Sequence, residues 1–176
     1  MLTISVDKYF IRSFKDDDVD SIVKYANDFE VSKFMRDSFP FPYTTENAVQ
    51  WIDFVKKNYS KLFFAIADEN ELIGSISAVP QTDVHRFSVE IGFWVGRIHW
   101  NKGITSKVLP VFCEYLFSKF SFNRLIANVF EGNEASKKVL QKNGFILEGT
   151  HRKSVFKENK FVDHYTYGLL KEDFII

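Results

Sequence analysis

Apolar residues recur along this chain in two rhythms. Over Tyr9–Phe14 (YFIRSF), Lys61–Ala67 (KLFFAIA), Glu71–Val79 (ELIGSISAV), Phe87–Val95 (FSVEIGFWV) and Arg124–Phe130 (RLIANVF) they alternate or cluster in short runs rich in β-branched and aromatic side chains, the signature of strands. The polar turn Asp68-Glu69-Asn70 joins the second and third of these as a hairpin, and two further long strands are expected around Lys157-Glu158-Asn159-Lys160. Elsewhere the spacing is helical. Val19, Ile22, Val23 and Ala26 share one face after the acidic run Asp16–Asp18, which suits the positive end of a helix. A second helix, capped by Thr44 or Thr45, turns Ala48, Trp51, Phe54 and Val55 inward. A third follows Gly103 with Ile104, Val108, Val111, Phe112, Tyr115 and Leu116 on its apolar side, and a fourth spans Asn133 to Asn143. Pro110 interrupts the third; a mid-helix proline costs about 3 kcal/mol and predicts a kink. Phe34–Tyr43, with Pro40 and Pro42 among aromatics, is expected to be irregular; its rings are read mainly as core filler, with a wall over a substrate as the other use.

The order of elements is β α α β β β α β α β β, an α/β chain whose central mixed sheet of about seven strands is flanked by about four helices. At 176 residues a single domain over residues 1–176 is expected, large enough to close one core without metal or disulfide staples. Twenty phenylalanines among 45% hydrophobic residues make that core aromatic.

Charge and cysteine narrow the partners. Lys and Arg together number 23, as do Asp and Glu, so no global field recruits nucleic acid or an anionic membrane. The amino terminus lacks a basic-then-apolar signal pattern, and no apolar run reaches the roughly 18 residues of a membrane helix. Cys113 is the only cysteine, which excludes an internal disulfide and a cysteine zinc cluster. Its setting among Phe112, Tyr115 and Leu116 marks a packing thiol rather than an acyl carrier. A cytoplasmic protein without a metal is expected; His85, His99, His151 and His164 show no ligand-type spacing, and the two loop histidines, His85 and His99, are read as polar surface.

Chemistry enters at His99–Lys107 (HWNKGITSK). Arg97, Lys102 and Lys107 bring three basic residues and no acid to the start of a helix, where unpaired backbone N–H groups attract anions and Gly103 lets a ligand approach. Thr105 and Ser106 add hydroxyl donors. Neither G-x-x-x-x-G-K-[ST] nor G-x-G-x-x-G occurs, which argues against the familiar nucleotide loops. Taken alone, the stretch fits a phosphate cradle and a solvated loop equally.

Further along, Asn133–Gly149 reads NEASKKVLQKNGFILEG: Asn133 suits an N-cap and Gly144 a left-handed helix stop. This pattern closely resembles a signature of the GNAT superfamily of acyl-CoA-dependent N-acyltransferases, and more narrowly its ribosomal-protein N-terminal acetyltransferase branch. VEIGFWVG before the basic loop and HRKSVFKENKFVDHYTYGLLKEDF at the end resemble the same family, so the likeness runs along essentially the whole chain. Of the family's acetyl-CoA motif, which occupies Trp100, Asn101, Lys102, Gly103, Ile104 and Thr105, only the central glycine is kept to the letter.

The resemblance implies a sheet splayed between its fourth and fifth strands, and acetyl-CoA as co-substrate with no metal. Phe93, Trp94 and Val95 would pair with the pantetheine amides, Arg124–Phe130 would form the other lip, and Asn101, Lys102, Gly103, Ile104, Thr105, Ser106 and Asn133 would complete the cofactor site. Glu90 matches the position of a general base, with attraction of a cationic amine as its simpler role. Ser136 matches a donor near the departing sulfur, with a helix-cap hydroxyl as the alternative. The implied activity is direct acetyl transfer to a primary amine, either a protein N-terminal α-amine or a small molecule. A non-catalytic acyl-CoA-sensing module on the same fold is the competing reading, and monomer and homodimer both stay open.

Overall fold

The computed structural model describes residues 2–174. Among the described residues eight strands form one mixed sheet in the order β1-β2-β3-β4-β5-β6-β8-β7, accompanied by five α-helices. Both counts exceed the sequence expectation by one. The extra strand is β1 (Thr3–Val6), which folds back on β2 (Tyr9–Arg12) through a turn made possible by Asp7 in the left-handed region, φ 53°. The extra helix is the four-residue α2 (Phe29–Ser32), held by the Asp28 carboxylate accepting from the Glu30 amide at 2.9 Å. Contacts group the chain into two compact units, one running to Ser77 with Phe93–Ile104 and the other comprising Ala78–Gly92 and the chain from Thr105 on.

In the first unit β2, β3 (Phe63–Ala67) and the early part of β4 (Leu72–Pro80) pair antiparallel, with Ile11 beside Ile66 and Ala65 beside Ser75. Every residue of β3 is buried, as a strand covered on both faces requires. Helices α1 (Val19–Ala26) and α3 (Thr45–Asn58) close one core with the sheet: Ile22, Ala26, Ala48, Ile52 and Val55 pack with Phe14, Phe63, Ala65 and Leu72. Thr44 caps α3 in a reciprocal capping box with Asn47. Ile52 takes the inward position that the sequence reading gave to Phe54, which is 46% exposed and leans on Trp51 and Tyr59 instead. The segment between α2 and α3 is irregular as expected; Phe39 and Tyr43 join the core, while Phe41 stays exposed beside Phe29. Burial alone pushes the Tyr43 phenol up to about 12.

In the second unit β6 (Arg124–Phe130) pairs antiparallel with β8 (Lys160–Leu170) along its whole length, and β8 pairs with β7 (Ile146–Lys157). Alternation along these strands separates the two faces. Leu125, Ala127, Val129, Tyr167 and Leu169 are buried on one, and Ile126, Asn128, His164 and Thr166 lie on the other. Lys137 of α5 (Glu134–Lys142) stands 3.8 Å from the Tyr165 ring centre, which puts α5 on the buried face. Helix α4 (Ile104–Lys119) runs uninterrupted through Pro110. Its buried stripe is Val108, Leu109, Phe112, Cys113, Leu116 and Phe117, so Val111 and Tyr115, expected inside, are only half-buried. Burial pushes the Cys113 thiol well above its ordinary value, consistent with a packing role.

The strand β5 (Ser88–Val95) is the sheet's irregularity. It pairs with β6 in parallel, but the register covers only Ser88–Glu90 against Arg124–Ile126, although β6 continues to Phe130. Pairing therefore ends at the junction where a splay was expected, which is the fourth and fifth strands of the sequence count and β5 and β6 here.

Candidate active site

In the first unit the end of β5 feeds a tight loop. The Gly96 amide donates to the Ile73 carbonyl at 2.9 Å, Arg97–His99 form a single 3-10 turn, and the Trp100 indole Nε1 donates back to the Val95 carbonyl at 2.9 Å. Phe93, Trp94 and Val95 are half-buried, with Trp94 set edge-on to Phe39 at 5.8 Å between ring centres. Trp100 thus ties the loop to the strand whose backbone is expected to meet the cofactor.

Beyond Trp100 the chain turns through two left-handed residues, Asn101 (φ 60°) and Gly103 (φ 70°), and helix α4 begins at Ile104. A Cβ added to Gly103 would meet nothing within 4 Å, so the ground beside the helix start is open. Ile104 anchors the turn in the core, while Asn101 and Lys102 are exposed and the first turn of α4 carries no acid. Thr105 and Ser106 follow, half-buried. Helix starts in general leave amides unpaired, and an adjacent lysine and open space beside a glycine are features that suit an anion.

His99 departs from expectation. It lies edge-on to Tyr25 with ring centres 5.1 Å apart, and its Nε2 is buried with no hydrogen-bond partner among the described residues. Burial, and then the charge of Lys102, hold its pKa below the ordinary 6.5. The sequence offered no sign of this, because the contact with Tyr25 spans distant parts of the chain.

In the second unit Asn133 caps α5 by accepting from the Ser136 amide at 3.2 Å, so the cap uses the Ser136 backbone and not its hydroxyl. The helix stops at Gly144, φ 82°. Glu90 is half-buried at the last paired position of β5, beside Ile126, on the sheet face opposite to the one α5 covers. The two catalytic expectations, Glu90 and Ser136, therefore belong to opposite faces of the sheet. Glu90 shares its face with Asn128, which lies in the lip expected over Arg124–Phe130, and with Thr166 and His164, which the sequence reading did not assign to the site; Glu90's negative charge raises the His164 pKa, although burial and then His151 lower it more. Among the described residues no group of three or more His, Cys, Asp or Glu is arranged to hold a metal, and no helix is long and apolar enough to cross a membrane.

Residues 8–146 match the family described as "Acetyltransferase (GNAT) domain". The chain is 28% identical over 177 residues to the "Uncharacterized N-acetyltransferase p20" of Bacillus licheniformis, with 99% of each covered. It is 31% identical over 108 residues to the "Ribosomal-protein-serine acetyltransferase" of Escherichia coli, covering 61% of this chain and 59% of that one. Among solved structures, a GNAT-family acetyltransferase from Bacillus anthracis superposes with a TM-score of 0.82 at 27% identity, covering 97% of this chain and 99% of that one.

Proposed function

The chain belongs to the GNAT acetyltransferase family, and on that premise we propose that it transfers an acetyl group from acetyl-CoA directly to a primary amine. The observation that carries the cofactor half is the start of α4: left-handed Asn101 and Gly103, open space at Gly103, and no acid in the first turn. In this reading the amides from Lys102 to Ile104 hold the diphosphate, Lys102 adds charge, and Thr105 and Ser106 donate hydroxyls. Phe93, Trp94 and Val95 offer backbone groups to the pantetheine arm, and Asn133 orders the start of α5.

Acetyl-CoA supplies an activated acyl carbon and a thiolate leaving group. The chain's own residues handle the amine and the protons. An ammonium does not attack until it loses a proton, and in this reading Glu90 attracts it and accepts that proton directly or through water. Ser136, on the other face, sits at the first turn of α5 as a donor toward the sulfur, with solvent as the final proton source. The acceptor in this reading is a protein N-terminal α-amine or a small-molecule amine; the Escherichia coli relative is named a ribosomal-protein-serine acetyltransferase, which supports a protein acceptor.

Calorimetry with acetyl-CoA and CoA tests the cofactor half; no heat at millimolar ligand overturns it. A mass-spectrometric screen against Ser- and Ala-initiated peptides and polyamines tests the rest. Acetylated product with matching thiol release is expected, and cofactor binding without turnover on any amine overturns the catalytic reading.

A further inference from the structure

The turn that joins two parts of the proposed cofactor site rests against one side chain of α1. Val95, which offers backbone to the pantetheine arm in the proposed reading, is followed by Gly96 and the Arg97–His99 turn, and then by the left-handed residues Asn101 and Gly103. Tyr25, 5% exposed, packs against this turn at two points. A Cβ on Gly96 would overlap the ring at Cδ1 and stand 2.8 Å from Cγ, so ring and backbone touch directly. The Gly96 angles, φ −55° and ψ 143°, are ones any residue adopts, so glycine is there for room. His99 meets the same ring edge-on at 5.1 Å between centres, and its amide donates to the Gly96 carbonyl at 2.9 Å to close the turn.

The phenol is held at its other end. Its hydroxyl donates to Glu71 Oε1 at 2.8 Å. Lys24 Nζ donates to the same oxygen at 2.7 Å and the Ser21 hydroxyl to Oε2 at 3.3 Å, so three side chains of α1 converge on one carboxylate. Glu71 itself is fixed in the β3–β4 turn: its amide donates to Asp68 Oδ1 at 3.1 Å, and its carbonyl accepts from the Asp68 amide at 3.0 Å. Tyr25 thus spans from a pinned hairpin turn to the loop after β5. The buried His99 Nε2, with no hydrogen-bond partner among the described residues, is a cost that a turn bears only where other contacts hold it in place.

We propose that Tyr25, anchored on Glu71, is a positioning residue for acetyl-CoA: its ring seats the Gly96–His99 turn and so sets the backbone groups on either side of it against the cofactor. The inference rests on the reading of this loop as the cofactor site. A rigid ring pressed on Gly96 leaves the turn little room to shift, and a binding constellation works only when its donors are held to within about 0.5 Å. Trp100 bonds across the turn to the Val95 carbonyl, so a displaced turn moves donors on both sides.

Three variants test the seating. Tyr25→Leu removes the ring, Tyr25→Phe keeps it and gives up the anchor on Glu71, and Ile11→Val trims a fully buried side chain of β2 as a stability control. Calorimetry with CoA should place wild type, Tyr25→Phe and Tyr25→Leu in descending order of affinity. The last should be weaker by about tenfold, inside the roughly hundredfold that a misplacement of about 1 Å can cost. With the best acceptor from the peptide and polyamine screen, KM for acetyl-CoA should rise in step, while kcat at saturating acetyl-CoA and KM for the amine hold. Ile11→Val should melt earlier yet bind CoA as wild type does. Any other order of affinities, or an equal loss in Ile11→Val, overturns the proposal. If Tyr25→Leu does not fold, Gly96→Ala decides, because its methyl falls on the ring at angles alanine accepts; wild-type affinity there overturns the proposal as well. The three tryptophans give three indole N–H signals by NMR, and that of Trp100 should move without ligand in Tyr25→Leu or Gly96→Ala and stay in Ile11→Val. Should wild type bind no CoA, the cofactor reading fails first; a Trp100 signal that does not move then overturns the seating too, and one that moves supports it.

Discussion

The Glu148 carboxylate lies where a side chain on Gly168 would begin, so a Cβ there would overlap it. Glu148 is the residue skipped between the pairs Leu147–Tyr167 and Gly149–Thr166, and the slip throws its side chain across β8 toward Arg124, whose Nη1 donates to Oε1 at 2.6 Å. Arg124 holds the Glu148 carboxyl below its usual range. Gly168→Ala is expected to displace the Glu148 carboxylate, the flexible end of its side chain, and to lower stability by no more than about 1 kcal/mol, the worth of a solvent-accessible ion pair. Urea unfolding with and without Glu148→Ala checks it: the glycine substitution should cost less in the shortened background.

Gly103→Glu puts a carboxylate into the open ground at the start of α4. Like charges brought together cost several kcal/mol, so affinity for CoA should drop by at least about a hundredfold. Circular dichroism should stay unchanged, since a non-glycine residue at φ 70° costs only about 1–2 kcal/mol. Gly103→Ala carries that strain without the charge and should retain most binding in calorimetry. Equal affinities for all three proteins would remove the diphosphate from this loop.

Stability should fall as the solution is acidified below pH 6.5. His99 and His164 both have folded pKa values lowered first by burial, so between those values and 6.5 the unfolded chain binds more protons than the folded one. The contribution is fully present above 6.5 and shrinks as pH falls toward the lowered values. Thermal melts at pH 7.5 and 5.5 should differ for wild type, and the gap should narrow in His99→Gln. A flat profile would show that neither ring is held neutral.

Arg12 and Asp18 form a two-pronged pair at 2.8 and 2.7 Å, with Asp18 only 3% exposed and also accepting from the Lys15 amide. Asp18→Ala leaves a guanidinium without its partner and should cost about 3–5 kcal/mol, whereas Arg12→Met with Asp18→Leu should recover most of that loss. Chemical denaturation of the three proteins measures both effects.

Much of this architecture was legible because its signals are local. Asn133 and Gly144 bracket α5 as their conformational preferences dictate, and Thr44 caps α3. Where helical spacing alone chose the inward side it drifted, exchanging Ile52 for Phe54 and rotating the stripe of α4, because the partner surface decides which flank of an apolar helix is covered. The GNAT resemblance came from motifs within single elements. The stacking of His151 on His164 did not, because it depends on a slip in strand register between residues thirteen apart, which no spacing rule announces. The Lys157–Lys160 turn was the available signal, and without that slip it places His151 beside the wrong partner.

Cys113 is fully enclosed and is the only thiol the chain possesses. A cysteine introduced at an exposed position such as Lys153 would therefore be the one sulfur open to maleimide dyes or spin labels under folding conditions. The wild-type background is ready for fluorescence or paramagnetic probes without first stripping out native cysteines.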